Sequence, residues 1–287
     1  MHEREQHSEY LRFSDRWFMN EYFKHGSVEA AVSNNDYLPI SIANFHKLIK
    51  RAGIIGSAGR HTSLPEVLHF FREAALSPEM PLEALYRTMP TTFKTSMVTL
   101  HRIYNNIERE IVRRRGVALI ISPEGDPDRI LVGQETHGGN RYKHAGDKTI
   151  PMGFAKKETE ETTLESVLRI LQQEVSVKKT ISGALRYQPQ SDIVHYLSNE
   201  EMHPFVQVTI LDVRVDVYRL ILPNEFLTDL SSYKLYGFGF QTAQEIQLSD
   251  NLRPGVAEIV NIHDRGYLTS EEPVVSAINL SFLSSQL

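Results

Sequence analysis

The segment from Gly146 to Val177, GDKTIPMGFAKKETEETTLESVLRILQQEVSV, constrains the fold more than any other stretch of the chain. Thr162 or Thr163 offers a hydroxyl that can cap a helix. The apolar residues that follow recur at three- and four-residue spacing, as on a helix with one buried face. They are Leu164, Val167, Leu168, Leu171 and Val175. A turn at residues 151–153 and a charged loop at 156–161 precede this helix, so the segment is predicted as strand, acidic loop and helix. The pattern alone fits an amphipathic surface helix after a hairpin equally well.

The same segment resembles the signature of the Nudix family, in which a glycine and a loop glutamate precede a helix that reads Arg-Glu-apolar-x-Glu-Glu-x-Gly. Placing Arg169 on the signature arginine puts Glu161 on the loop glutamate and Glu174 on the last helical glutamate. In this register Ile170 and Gln173 take the places of the other two helical glutamates. The two glycines are also replaced, by Ala155 and Ser176, although Gly153 lies two residues before the first.

These replacements bear on the chemistry that the resemblance implies, which is magnesium-assisted cleavage of a pyrophosphate. Magnesium prefers hard oxygen ligands such as carboxylates. Ile170 supplies no ligand and Gln173 only a neutral carbonyl, so Glu174 is the one carboxylate left on that helical face. Three further glutamates could substitute in part: Glu158, Glu160 and Glu165. The expectation is a Nudix scaffold that has lost its hydrolase chemistry, with no catalytic residue and no certain cofactor.

Composition sets the broad class. The 287 residues suffice for two domains, and 41% hydrophobic with 23% charged residues is typical of a soluble globular protein. No apolar run approaches a membrane span, and the polar start of the chain is not that of a secretory signal. The chain has no cysteine, which fits the cytoplasm. Its 12 histidines show no ligand spacing, so no zinc site is predicted.

Charge is unevenly divided along the chain. Residues 1–115 carry +3 and residues 116–287 carry −8, within a total of −5. A basic first half is a mild indication of a polyanionic partner, and ordinary scatter between two domains explains it as well.

The first part of the chain predicts a helix-turn-helix arrangement. Ser14 and Ser27 cap two helices, a turn-rich stretch follows, and Ser41 caps a third helix that ends at Gly53. That third helix turns one apolar stripe inward: Ile42, Phe45, Leu48 and Ile49. Its outer face would meet DNA through Ser41, Asn44, Lys47 and Arg51.

A second unit follows with the same order of elements but no repeat at the level of residues. Its long helix is predicted to run from residue 96 to Arg115, with Ile111 on the buried stripe and with Ser96, Thr99 and Arg102 facing out. The two units are predicted to form an all-α DNA-binding domain over residues 1–115. A helical packing or dimerisation domain is the alternative.

From residue 116 the chain is predicted to form a Nudix-like α/β/α sandwich with a mixed sheet, over residues 116–287, so the whole is of the α+β class. The predicted strands are VALIIS, RILVGQ, GALRYQP, IVHYLS, FVQVTILDVRV, KLYGFGF and VAEIVNI, and LTDLSSY and TAQEIQL are predicted as short helices. Glu245 in the last of these is assigned no catalytic role.

The loop before the signature carries four candidate ligand-binding residues: Arg141, Tyr142, Lys143 and His144. In the family this neighbourhood lines the ligand pocket, so these side chains would grip a phosphate or stack on a base. A solvated hairpin loop explains them equally well.

Two functions from different classes follow. In the first, the chain resembles families that join a helix-turn-helix unit to a Nudix-like domain. It would then be a homodimeric transcriptional regulator that binds double-stranded DNA, with the second domain sensing a nucleotide-like ligand or mediating dimerisation. In the second, it is an active magnesium-dependent Nudix pyrophosphohydrolase of nucleoside diphosphate derivatives, with Glu174 as its remaining metal ligand.

Overall fold

The computed structural model of the chain describes residues 14–36, 38–56, 66–67, 70–71, 73–74, 77, 79–109, 111–136, 145–156, 161–199, 202–253, 255–264 and 274–277. None of the described helices has both the length and the apolar character needed to cross a membrane.

The first helical unit (residues 14–56) contains α1 (Asp15–His25), α2 (Val28–Ser33) and α3 (Ile42–Arg51). Each helix begins after a serine whose hydroxyl accepts a hydrogen bond from a backbone amide three residues later. The apolar faces of the three helices share one core, in which Phe45, Leu48 and Ile49 are buried as predicted. Ile42 is an exception because it is 49% exposed. At 100° per residue it lies at the border of the buried arc of α3.

The second helical unit (the described residues from 66 to 109) contains α4 (Leu82–Thr88) and α5 (Met97–Glu108). The prediction that α5 runs to Arg115 is wrong, because Arg114 already belongs to the first strand and Ile111 is 47% exposed. Ten consecutive residues of that strand pair with a neighbouring strand. This pairing outweighs the helical periodicity of the sequence, which is only a weak local preference.

The α/β part contains two sheets. Its strands are β1 (Arg114–Pro123), β2 (Arg129–Glu135), β3 (Lys148–Thr149), β4 (Met152–Phe154), β5 (Val206–Ile210), β6 (Val213–Leu222), β7 (Leu235–Thr242) and β8 (Val274–Ala277). The larger sheet has the order β4-β1-β6-β5-β8 and is mixed, because β1 pairs with β6 in parallel and with β4 in antiparallel orientation. The smaller sheet, β3-β2-β7, is antiparallel.

Helices cover both faces of the larger sheet. Alternate residues of β1 belong to two separate apolar cores, with Leu119 in one and Ile120 in the other. The first core contains residues from α6 (Thr163–Ile170), from the π-helical turn (Leu171–Val175) and from α8 (Asp192–Asn199), and α7 (Val177–Ser182) follows the π-helical turn. The second core contains residues from α10 (Ala243–Gln247) and α11 (Val256–Asp264). The α+β class and the three-layer arrangement agree with the sequence.

Several predicted elements are wrong. IVHYLS lies in α8, VAEIVNI lies in α11, and GALRYQP forms a turn rather than a strand. LTDLSSY is not helical, and α9 (Asn224–Leu227) ends at its first residue. Short runs rich in β-branched residues do not distinguish a strand from a buried helix by periodicity. In α11, Val256, Ile259 and Val260 are buried at helical spacing.

Candidate functional site

Helix α6 and the π-helical turn place the residues of the signature. Thr162 caps α6 through its hydroxyl, which accepts from the backbone amide of Glu165 at 3.2 Å, and the Glu165 carboxylate accepts from the amide of Thr162 at 2.8 Å. From residue 171 the helix widens to the π form, and all five residues of that turn are buried. A π turn adds a residue to the helical repeat and is frequent at functional sites.

Glu161 and Arg169 form a buried ion pair. Their side chains are 2% and 3% exposed, and the carboxylate accepts from Arg169 Nε at 2.6 Å and Nη2 at 3.1 Å. Ser166 Oγ and the backbone amide of Lys156 donate to the same carboxylate. Burial by itself raises the pKa of Glu161, but the hydrogen bonds and charge of Arg169 outweigh burial and hold that pKa below its ordinary value. The pair therefore holds Glu161 against α6.

Gln172 joins the first helical unit to the α/β part. It is fully buried, and its amide nitrogen donates to the carbonyls of Gly53 at 2.9 Å and Leu185 at 2.8 Å. Its carbonyl oxygen accepts from the backbone amide of Ile55 at 2.9 Å. Gly53 has a φ of +66° and lies so close to the backbone of Tyr187 that a Cβ would approach it to 3.0 Å.

The helical face that the resemblance assigns to magnesium holds a different set of groups. Ile170 is fully buried in the apolar core, and the side-chain amide of Gln173 donates to the carbonyl of Ile55 at 3.1 Å. Glu174 is ion-paired with Lys234. Magnesium is bound by several hard oxygens, and this face offers one carboxylate that a lysine already neutralises. The residues present here do not fit a magnesium ion.

In the described part of the chain no group of three or more His, Asp or Glu side chains has a geometry suited to a metal ion. Glu158 and Glu160 lie outside that part, as do the four candidate ligand-binding residues at 141–144. Glu245 is exposed and caps α10 in a reciprocal arrangement with Thr242, which is a structural role.

The outer face of α3 lies where the sequence predicts. Ser41, Asn44, Lys47 and Arg51 are all exposed, and the Ser41 hydroxyl accepts from the Asn44 amide at 3.2 Å. Arg51 also forms a surface ion pair with Asp15 at 3.2 Å. Beside this face is an open cavity of about 550 Å³. Its lining residues are Asp15, Phe18, Pro39, Ile40, Asn44, Lys47, Leu48 and Arg51.

The outer face of α5 is built in the same manner. The hydroxyl of Ser96 accepts from the backbone amide of Thr99 at 3.2 Å, and its Oγ lies 2.9 Å from Thr99 Oγ1. Thr99 is half-buried and takes part in the cap of α5. Arg102 is exposed.

Gln172, whose side chain makes three hydrogen bonds, was not among the residues predicted from the sequence. A signal was present, because Gln172 and Gln173 interrupt an otherwise apolar helix, and a buried amide requires partners. The identity of those partners, 117 and 118 residues away, is not readable from spacing.

No family model and no curated protein matches this chain. Solved structures similar to it include a MutT protein from Methanosarcina mazei Go1, with 17% identity over 53% of this chain and 93% of that chain, at a TM-score of 0.36. The NUDIX domain of Shewanella oneidensis NrtR complexed with ADP ribose is 13% identical over 65% of this chain and 98% of that chain, with a TM-score of 0.35. A hydrolase of the NUDIX family from Clostridium perfringens is 16% identical over 56% and 99%, with a TM-score of 0.34.

Proposed function

We propose that this chain is a DNA-binding transcriptional regulator whose Nudix-like α/β part does not hydrolyse pyrophosphates. In this proposal that part senses a nucleotide-type ligand or joins two copies of the chain. One observation carries the proposal: Gln172 and Gln173 use their amides to hold Gly53 and Ile55 of the first helical unit. At Gln173, where the resemblance places a metal-binding glutamate, the side chain instead attaches the first helical unit.

The chemistry of the signature supports the loss of hydrolysis. Cleavage of a pyrophosphate needs positive charge beside the phosphates, and carboxylates must hold the metal that supplies it. Ile170 is buried and aliphatic, Gln173 is occupied by Ile55, and Glu174 is paired with Lys234.

The exposed face of α3 supports DNA as the partner. Lys47 and Arg51 lie one helical turn apart on one face, with Asn44 one turn before Lys47. An asparagine near the start of such a helix can bond an adenine edge in the major groove, and the two cations can contact phosphates or guanine.

DNA binding is tested by fluorescence anisotropy with the full chain and genomic duplex fragments at two salt concentrations. We expect affinity to fall steeply with salt, because neutralised phosphates release counterions. Lys47→Ala should weaken binding to all sequences and lower the salt slope by about 1, and Asn44→Ala should cost about 1–3 kcal/mol mainly on the preferred site. Lys178→Ala, which removes an exposed lysine on α7, is the control and should change neither. If the full chain binds no duplex at low salt, the helical half is a packing or dimerisation domain.

Hydrolysis is tested with magnesium and a panel of ADP-ribose, NAD and nucleoside triphosphates. We expect no appreciable turnover. Turnover at rates usual for enzymes, roughly 1–10³ per second, that disappears in Glu174→Gln would establish the alternative, an active pyrophosphohydrolase.

The ligand and the oligomeric state are tested with the same preparation. The same nucleotides, added without turnover, should shift the melting temperature if the α/β part is a sensor. Sedimentation at several concentrations should show a homodimer if that part instead joins two copies.

A further inference from the structure

Helices α3 and α5, called here the reading helices of the two helical units, share a sequence pattern, with two identical residues in ten aligned positions. Residues 41–50, SIANFHKLIK, align with residues 96–105, SMVTLHRIYN, at a constant offset. The capping serine and the histidine are identical in the two segments, and Lys47 corresponds to Arg102. The two units therefore share more than the order of their elements.

A hydrogen bond between a histidine and a glutamate recurs at the same place in both units. His46, the fifth residue of α3, lies 2.9 Å from Glu29, the second residue of α2. His101, the fifth residue of α5, lies 2.7 Å from Glu83, the second residue of α4. Two exposed pairs contribute little stability. Their value here is diagnostic, because identical partners at identical helical positions indicate that each reading helix sits on its preceding helix in the same way.

The packing beneath the helices is equivalent as well. The fourth residue of each reading helix, Phe45 or Leu100, is fully buried. Each unit also has a buried glutamate that accepts from a residue between the short helix and the reading helix. Glu21 accepts from Asn35 at 3.0 Å. In the second unit Glu66 accepts from Thr95 Oγ1 at 3.2 Å.

Both units are attached to the α/β part, at different places. Gln172 holds the first unit through Gly53 and Ile55. In the second unit, Asn106 donates to Asp212 at 3.4 Å, and Arg113 after α5 pairs with Asp212 at 2.6 Å. Asp212 lies in the turn between β5 and β6, and Leu211 beside it packs in the core of the second unit. One chain therefore presents two similar reading helices from a common support.

We propose that a single chain reads a two-part DNA site, with α3 on one part and α5 on the other; this rests on the proposed function above. The two parts of the DNA site would differ in how many phosphate contacts they receive. At the last matched position and the one after it, α3 carries Lys50 and Arg51, whereas α5 carries Asn105 and Asn106. The α3 part therefore contributes more phosphate contacts and more of the salt dependence, since each neutralised phosphate releases counterions.

The experiment uses the full chain and duplexes selected by it from a random library. Hydroxyl-radical footprints are taken with wild type, Lys47→Ala and Arg102→Ala, and Lys178→Ala is the control. Sedimentation of the complex gives the number of bound chains. We expect two protected segments per bound chain, with centres about one helical turn (10–10.5 bp) or a multiple of it apart. Each substitution should weaken protection of one segment only, and each should lower the salt slope by about 1.

A half-turn insertion between the segments should lower the affinity strongly, and a full-turn insertion should lower it less, because only the latter keeps both segments on one side of the duplex. One protected segment per chain, lost in Lys47→Ala and unchanged in Arg102→Ala, would overturn the two-part site and leave DNA binding intact. Failure to select any duplex would overturn both proposals together.

Discussion

The side-chain amide of Gln173 donates to the carbonyl of Ile55 at 3.1 Å, across 118 residues of sequence. The side-chain carbonyl of the neighbouring Gln172 accepts from the backbone amide of Ile55. The backbone carbonyl and the backbone amide of Ile55 are therefore both bonded by adjacent glutamines. Ile55, at the end of the first helical unit, is therefore fixed to the π-helical turn.

Gln172→Ala should destabilise the attachment of the first helical unit. The change leaves the carbonyls of Gly53 and Leu185 and the amide of Ile55 without their partner, and a buried group without a hydrogen bond costs about 1–3 kcal/mol. We expect a loss of roughly 3 kcal/mol in the free energy of unfolding, measured by urea denaturation. The exposed Gln190→Ala is the matched control and should be within about 0.5 kcal/mol of wild type. Equal stability of the two variants would show that the three hydrogen bonds of Gln172 do not stabilise the fold.

Restoring the two missing glutamates should lower the free energy of unfolding and should not recover metal binding. The sequence alone favours improved magnesium binding in the double change Ile170→Glu with Gln173→Glu. In the structure Ile170 is fully buried in the apolar core, and Gln173 supplies the donor for Ile55. A carboxylate at either place loses solvation or faces a carbonyl oxygen. We expect a loss of about 4 kcal/mol or more and no magnesium binding by calorimetry. Gln190→Glu is the control, and a double variant that binds magnesium at an unchanged melting temperature would contradict this account.

The sequence identified those parts of the fold that depend on local pattern. The stripe of α6, the cap at Thr162 and the buried face of α3 at Phe45 and Leu48 are set by neighbours within two helical turns. The exposed outer face of α3 follows from the same periodicity. These features need no knowledge of distant partners.

The parts that were missed depend on long-range contacts. Whether residues 256–264 form a helix or a strand is decided by the core that Val256 and Ile259 enter. The end of α5 is decided by the pairing of β1 with β6, which begins at Arg114 opposite Val213. Gln172 is bonded by backbone atoms of Gly53 and Ile55, which lie more than a hundred positions away. Spacing within one segment carries no information on these partners.

Leu168 and Leu171 should be essential to the core between α6 and the larger sheet. They are 0% and 2% exposed and belong to the same apolar cluster as Leu119 of β1. Truncating either to alanine removes buried methyl groups and leaves a cavity, which should cost roughly 2–5 kcal/mol in thermal or denaturant unfolding. Leu248→Ala is the control because Leu248 is 76% exposed. If both core variants melt at the wild-type temperature, the buried face of α6 has been assigned wrongly.

The ion pair of Glu161 with Arg169 should make the free energy of unfolding decrease as the pH falls into the acid range. The pKa of Glu161 lies below its ordinary value in the folded chain, so the unfolded chain binds its proton first as the pH falls. The stabilisation is therefore complete above the unfolded pKa and is lost as the pH falls through the folded pKa.

Glu161→Gln should cost roughly 3–5 kcal/mol at neutral pH, because it leaves Arg169 buried without its counter-charge. It should also flatten the acid limb of a plot of unfolding free energy against pH. Asp126→Asn, which breaks the exposed pair with Arg129, should cost no more than about 1 kcal/mol. An unchanged acid limb in Glu161→Gln would show that other carboxylates set the acid sensitivity.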